Sequence, residues 1–275
     1  MQAELAGLYD PEEIRSMWFV LIEAFLGWTV METLQKEEDV LTESEMLKFH
    51  FAVKDLKIFK PIQYITGYTW FYSLKIEVGP GVLIPRPETE ELVQWVIHEV
   101  NDREEKAIDL LDVGTGSGCI ALALAANLPE ARITAMDVSE EALKIATENA
   151  EQNKLYLSFH QADIRDETRW GNTFYDVIVS NPPYVRESEK ALMSDNVLKY
   201  EPEQALFVSD DDPLVFYRAI LRFAQTHLKP GGCVYFEINE NLSHEMNTLA
   251  DLSGFQETEL RQDLNGKNRM FKCAR

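Results

Sequence analysis

The sequence is poor in cysteine and in positive charge, and it holds no apolar run long enough to span a bilayer. Its three cysteines, Cys119, Cys233 and Cys273, are odd in number and lack the paired spacing of a metal site. They read as small core residues in a reducing, cytoplasmic setting, and no metal is expected. Lys and Arg number 26 against 47 Asp and Glu, a net charge of −21. That balance argues against general attraction to phosphate backbones or anionic lipid, so neither a nucleic-acid nor a membrane partner is expected. The most apolar early stretch, Met17 to Trp28, is broken by Glu23 and falls short of the roughly 18 to 20 residues a bilayer requires. It reads as a buried amphipathic helix. Glu4 and Asp10 stand where a secretory signal would carry a basic start, so no export signal is expected. What is present is 275 residues, 45% of them apolar, enough for one large domain and a smaller one.

The first sixty residues carry helix starts. Asp10 can cap, Pro11 suits the first helical position, and Glu12 and Glu13 favour the positive end of the helix dipole. Thr42-Glu43-Ser44-Glu45 has capping-box spacing before Met46, Leu47, Phe49, Val53 and Leu56. From Tyr68 to Pro87 the pattern turns aromatic and β-branched, punctuated by Gly79-Pro80-Gly81, as in a hairpin connector. The predicted division is a helical domain over 1–66, a connector over 67–88 and a larger domain over 89–275.

From about Ala107 the pattern alternates between buried strands and helices. Strands are predicted over 107–113, 132–138, 157–162, 174–179 and 234–238. A helix over 213–228 is predicted to stop at Pro230-Gly231-Gly232. Such alternation implies an α/β fold with a parallel sheet covered on both faces. The last twenty residues, with Leu264-Asn265-Gly266 between two strand-like runs, read as an antiparallel pair at the sheet edge.

Asp112-Val113-Gly114-Thr115-Gly116-Ser117-Gly118 falls where a strand ends and a helix begins, so a ligand can approach the backbone closely. A dinucleotide fingerprint would place its third glycine where Cys119 stands. The observed G-x-G-x-G, with an acid two residues before it, instead resembles the cofactor loop of S-adenosylmethionine-dependent methyltransferases. Asp137, at the end of the next strand, is placed to accept hydrogen bonds from both ribose hydroxyls. Asp163, after the third strand, can accept from an adenine amino group.

Asn181-Pro182-Pro183-Tyr184 follows the fourth strand and so lies at the carboxyl edge of the sheet. Methyl transfer to an amide or exocyclic NH₂ requires a planar, weak nucleophile to be held in line with the sulfonium methyl. The Asn181 side-chain oxygen and the Pro182 carbonyl can accept its two N–H groups, with the consecutive prolines stiffening the carbonyl. The Tyr184 ring can stack on the planar group.

Over nearly its whole length the chain resembles the release factor glutamine N5-methyltransferases, the PrmC or HemK group. The likeness rests on this tetrapeptide, on Pro61-Ile62 with Gly67, on Phe71-Tyr72 and on Leu83-Ile84-Pro85-Arg86-Pro87-Glu88-Thr89-Glu90. Tyr200-Glu201-Pro202, Ala205-Leu206, and Asp263-Leu264 with Gly266 and Arg269 extend it. The resemblance implies a Rossmann-like class I methyltransferase domain with a seven-stranded mixed sheet, preceded by a helical domain that docks substrate. It implies that Gly114 to Gly118, Asp137 and Asn181 contact S-adenosylmethionine, and that Phe71 packs over the cofactor's methionine end. It further implies that Asn181, Pro182, Pro183 and Tyr184 cradle the glutamine of a Gly-Gly-Gln motif in a class 1 peptide chain release factor. Arg86 and Glu88 would hold the connector against the active site. Two positions depart from the family pattern. Asn239 stands in place of a glycine after Glu237-Ile238, and Ile164 stands where some relatives carry an aromatic residue.

Adenine N6 and guanine N2 present the same planar NH₂, so a nucleic-acid amino methyltransferase is the alternative enzyme. The acidic balance and the absence of a basic recognition segment weigh against it. A non-catalytic module that retains the pocket is the remaining alternative. Asn181 and Tyr184 beside a complete glycine loop weigh against that.

Overall fold

The computed structural model describes residues 1–36 and 39–275, in two compact units. The first comprises Met1–Tyr68 together with Met193–Glu201. Its helices are α1 (Gln2–Leu5), α2 (Pro11–Leu26), α3 (Val30–Gln35), α4 (Glu43–Lys57) and α5 (Ile62–Thr66). Pro11 opens α2 as expected, but the Asp10 side chain makes no cap hydrogen bond. At α4 both halves of the predicted capping box form: Thr42 accepts from the Glu45 N–H, and Glu45 accepts from the Thr42 N–H at 2.8 Å. The same reciprocal pair, Thr29 with Glu32, starts α3. Leu5, Ile14, Leu21, Ile22, Phe49, Ala52 and Leu56 form the core of this unit. Met46 and Leu47, near the start of α4, are exposed.

The second unit, Thr69–Leu192 with Pro202–Arg275, carries the sheet. It opens with a hairpin of β1 (Tyr68–Phe71) and β2 (Leu74–Glu77). The hairpin closes at Tyr72 and Ser73, ahead of Gly79-Pro80-Gly81, and both turn residues take the positive φ that a tight two-residue turn requires. Glu90 accepts the Tyr72 N–H at 2.7 Å and so ties the turn to α6 (Pro87–Asp102).

β3 (Asp109–Val113), α7 (Cys119–Asn127), β4 (Arg132–Asp137), α8 (Glu140–Gln152), β5 (Ser158–Gln161) and β6 (Tyr175–Ser180) follow in alternation. Ser139 caps α8 by accepting from the Ala142 N–H, as its sequence predicts. Between the short paired strands β7 (Val185–Arg186) and β8 (Phe207–Val208) the chain contributes α9 (Asp195–Tyr200) to the first unit. There the Tyr200 hydroxyl donates to the Ile58 carbonyl at 2.9 Å. α10 (Val215–His227), β9 (Leu228–Glu237), α11 (Ser243–Leu252), β10 (Glu257–Gln262) and β11 (Asn268–Ala274) complete the unit.

The seven-stranded sheet has the order β10-β11-β9-β6-β3-β4-β5. β9, β6, β3, β4 and β5 are mutually parallel, and β11 and β10 add antiparallel at the edge. Strand order reverses between β3 and β6, which opens a crevice at their carboxyl ends. Pro230-Gly231-Gly232 lies inside β9 rather than after α10. The pairing with β6 skips from Tyr175 with Leu228 to Val177 with Cys233, so the three residues form an irregular stretch of the strand. Gly232 is needed there because a Cβ would come within 2.9 Å of the Asp176 carbonyl. The core runs through Leu111, Ile178, Val234 and Phe236 of the sheet and Tyr217, Phe223 and Met246 of the covering helices. No helix among the described residues is long and apolar enough to cross a membrane.

Candidate active site

The crevice is built from the ends of β3 and β6. Ser180 donates from Oγ to the Val113 carbonyl at 2.6 Å and locks those ends together. Beyond Val113 the glycine loop turns back over β4, where the Gly114 and Thr115 N–H groups both donate to the Met136 carbonyl. Asp112 is fully buried beneath the loop. Its Oδ2 accepts from Thr115 Oγ1 at 2.6 Å and from the Ala121 N–H at 3.2 Å. Burial pushes its pKa up to about 7, against the pull of those two hydrogen bonds. Asn149 of α8 clamps the loop from behind, donating to the Ser117 carbonyl at 2.9 Å and to the Glu77 carbonyl while accepting the Glu77 N–H.

Gly114 and Gly116 have positive φ, and a Cβ at either would meet nothing within 4 Å. Gly118 differs, since a Cβ there would lie 3.0 Å from Cβ of Ala146. Its part is close approach of α7 to α8. Asp137 ends β4 with one backbone N–H on each oxygen, Gly116 on Oδ2 and Ser139 on Oδ1. Burial raises its pKa against these bonds. A carboxylate oxygen can accept more than one hydrogen bond, so Asp137 can also accept from a ligand hydroxyl.

On the β6 side, Asn181 donates from Nδ2 to Thr89 Oγ1 at 3.3 Å. Thr89, in the first turn of α6, donates its hydroxyl to Glu237 Oε2 at 2.6 Å. Tyr184 donates its hydroxyl to Glu237 Oε1 at 2.9 Å. Burial raises both Glu237 and Tyr184. Asn239 has an ordinary φ of −68°, so the turn after β9 does not require glycine. Its side chain caps that turn by accepting the Asn241 N–H, and it donates to the Tyr184 carbonyl and to Glu189.

One cavity of about 520 Å³ joins the two halves, a size typical of small-molecule sites. Gly114, Thr115, Gly116, Ser117, Asp137 and Asp163 line it together with Asn181, Pro182 and Pro183. Gly118, Tyr184 and Phe71 are not in the lining. Phe71 is 1% exposed, packed away in the core. Asp163 binds the Arg165 guanidinium through both oxygens, which holds its carboxyl below the usual range. Arg165 also stands 5.3 Å from the Phe216 ring, and both line the cavity beside Ile164. The sequence singles out Thr89 only as one position of the run over 83–90 and Glu237 only as part of a turn pattern, with no role for either. The Thr-x-Glu of Thr89 and the Glu-Ile-Asn of Glu237 carry no local sign that the two meet.

The open space at Gly114 and Gly116, and the Asp137 carboxylate lining the same cavity, fit a ribose-bearing cofactor. A mixed sheet of this order, with a glycine loop after one inner strand and Asn-Pro-Pro-Tyr after its neighbour, defines an α/β methyltransferase. A solved ribosomal protein L11 methylase from Lactobacillus delbrueckii subsp. bulgaricus shares the fold, with a TM-score of 0.52 and 20% identity, covering 73% of this chain and 83% of that one. The family model for the methyltransferase small domain matches residues 93–204, and that for the PrmC N-terminal domain matches residues 2–67. The chain is 44% identical to the release factor glutamine methyltransferase of Flavobacterium psychrophilum, over 98% of this chain and 94% of that protein. It is 40% identical to that of Bacteroides thetaiotaomicron, over 100% of this chain and 98% of that one. The chain belongs to the release factor glutamine methyltransferase family, as its sequence motifs indicate.

Proposed function

We propose that the protein transfers a methyl group from S-adenosylmethionine to the side-chain amide nitrogen, N5, of the glutamine in the Gly-Gly-Gln motif of class 1 peptide chain release factors, and thereby modulates translation termination. The observation that carries this reading is the single cavity that brings the glycine loop and Asp137 to the same space as Asn181, Pro182 and Pro183. The names of relatives that match nearly end to end support the choice of substrate.

When bound, the cofactor supplies a sulfonium-activated methyl group. Gly114 to Ser117 would form its backbone cradle, Asp137 would accept from its ribose, and Asp163 would stand at its adenine end. Asn181 Oδ1 and the Pro182 carbonyl accept the two N–H groups of the substrate amide and hold its nitrogen in line, which can lower the barrier by several kcal/mol. No strong general base is required, because the nitrogen becomes far more acidic once alkylated. Tyr184 anchors the tetrapeptide through its hydroxyl. The helical segment 1–66 docks the release factor, and the net charge of −21 disfavours a nucleic-acid substrate.

The test is incubation of the purified protein with labelled cofactor and either a release factor or nucleic acid. Label is expected in the release factor and is expected to vanish when the glutamine of Gly-Gly-Gln is replaced by alanine. Label found only in nucleic acid would overturn the assignment.

A further inference from the structure

The hydrogen bonds that link Tyr184, Glu237, Thr89 and Asn181 run in one direction. Glu237 is 1% exposed at the end of β9. In the carboxylate form, which the Thr89 and Tyr184 hydroxyls and the charge of Arg269 favour against its burial, it has no proton to give, so each neighbour donates to it: Tyr184 onto Oε1 at 2.9 Å and Thr89 onto Oε2 at 2.6 Å. Thr89 has a single hydroxyl proton, and Glu237 takes it. The Thr89 oxygen is therefore an acceptor only, and Asn181 must turn Nδ2 toward it, as observed at 3.3 Å. A planar amide has one other polar atom. With Nδ2 committed to Thr89, Oδ1 is the atom left for the cavity that Asn181 lines. A flipped Asn181 would set two oxygens against each other at Thr89 with no proton between them, and would present an NH₂ to a substrate that itself offers an NH₂.

We propose that Glu237 is a positioning residue: through Thr89 it fixes the Asn181 amide with its oxygen toward the substrate nitrogen, and through Tyr184 it holds the far end of the same tetrapeptide. This rests on the reading of Asn181 as an acceptor for a planar NH₂. Glu237 does not line the cavity and acts only through its two partners. Replacing it by Gln keeps the shape but reverses the logic. The single oxygen of that Gln can serve only one of the two hydroxyls: the NH₂ faces either Thr89, which releases the Thr89 proton toward position 181 and frees the sense of the Asn181 amide, or Tyr184, which then loses its acceptor.

The experiment compares wild type, Glu237→Gln, Thr89→Val and the double variant. It reads single-turnover methyl transfer to a release factor at saturating cofactor, cofactor affinity by calorimetry, and thermal midpoint. Glu237→Gln and Thr89→Val are each expected to slow transfer about 10- to 100-fold, the scale of losing one oriented hydrogen-bonding group at a reacting centre, with cofactor affinity within about twofold of wild type. Because the Thr89 arm of the Glu237 effect passes through Asn181, Glu237→Gln should cost less in the Thr89→Val background than in wild type, the remainder coming through Tyr184. Wild-type transfer with Glu237→Gln equally fast would overturn the positioning role, as would single effects that multiply in the double variant or a loss of cofactor affinity that matches the loss of rate. Should Glu237→Gln fail to fold, Thr89→Val decides alone: an unchanged rate overturns the relay. Absence of transfer by the wild-type protein would instead overturn the functional reading on which the relay rests.

Discussion

Asp137 accepts the Gly116 N–H on Oδ2 at 2.9 Å, joining the end of β4 to the middle of the glycine loop. The residue proposed to bind a ribose is thus also the one that shapes the loop beside it. Substitution by alanine removes both roles. Asp137→Ala is expected to weaken cofactor binding by about 10- to 100-fold, the scale of one or two charge-assisted hydrogen bonds. Calorimetric titration with S-adenosylhomocysteine measures this, and unaltered affinity would remove Asp137 from the cofactor site.

Asn181→Ala would take away one proposed acceptor for the substrate amide while leaving the glycine loop and Asp137 in place. Turnover is expected to fall on the order of 100-fold, with cofactor affinity changed far less. Parallel measurement of kcat and cofactor Kd separates the two, and an equal loss in both would make Asn181 chiefly a cofactor ligand.

Asp112 makes folding stability pH-dependent. Its folded pKa, about 7, lies above the ordinary carboxyl value near 3.9, so the folded state holds a proton that the unfolded state has released. The contribution is fully present below about pH 4 and is lost as pH rises through about 7. Asp112→Asn, which is neutral throughout, should gain on wild type by roughly 2 kcal/mol between pH 5 and pH 8. Urea unfolding at the two pH values tests it; a difference that does not change with pH would refute it.

Gly118 has a φ of +83°, and a methyl group there would press on Ala146. Gly118→Ala should therefore cost about 1 to 3 kcal/mol of stability, read as a lowered thermal midpoint. A variant that melts like wild type but binds cofactor poorly would restore Gly118 as a direct cofactor contact.

Phe71, sealed in the core, should behave as a packing residue. Phe71→Ala is expected to lose about 3 to 5 kcal/mol of stability. If denaturant melts stayed unchanged while cofactor affinity fell, Phe71 would have to reach the cavity.

Local signals were readable in the linear chain because their physics is local. Thr42 and Glu45 satisfy each other within one helical turn, Ser139 caps the helix it precedes, and hydrophobic alternation marked the strands and helices of the sheet domain. The glycine loop, Asp137 and Asn181 through Pro183 were legible for a related reason. Each sits at the end of a strand, and parallel strands in one sheet bring such ends to a common edge whatever the details of packing.

Contacts between residues far apart in sequence decided the rest. Thr89 and Glu237 are separated by 148 positions, and nothing near either one shows that the first must donate to the second. Phe71 lies in the core, Gly118 serves the α7–α8 contact, residues 193–201 join the helical unit, and Pro230 to Gly232 fall within a strand. The sequence by itself determined the helix starts, the alternation of the sheet domain and which strand ends meet at the cavity, since spacing and capping act over a few residues. Only the tertiary structure decided which way the Asn181 amide faces, because that depends on a proton donated to a carboxylate from another strand.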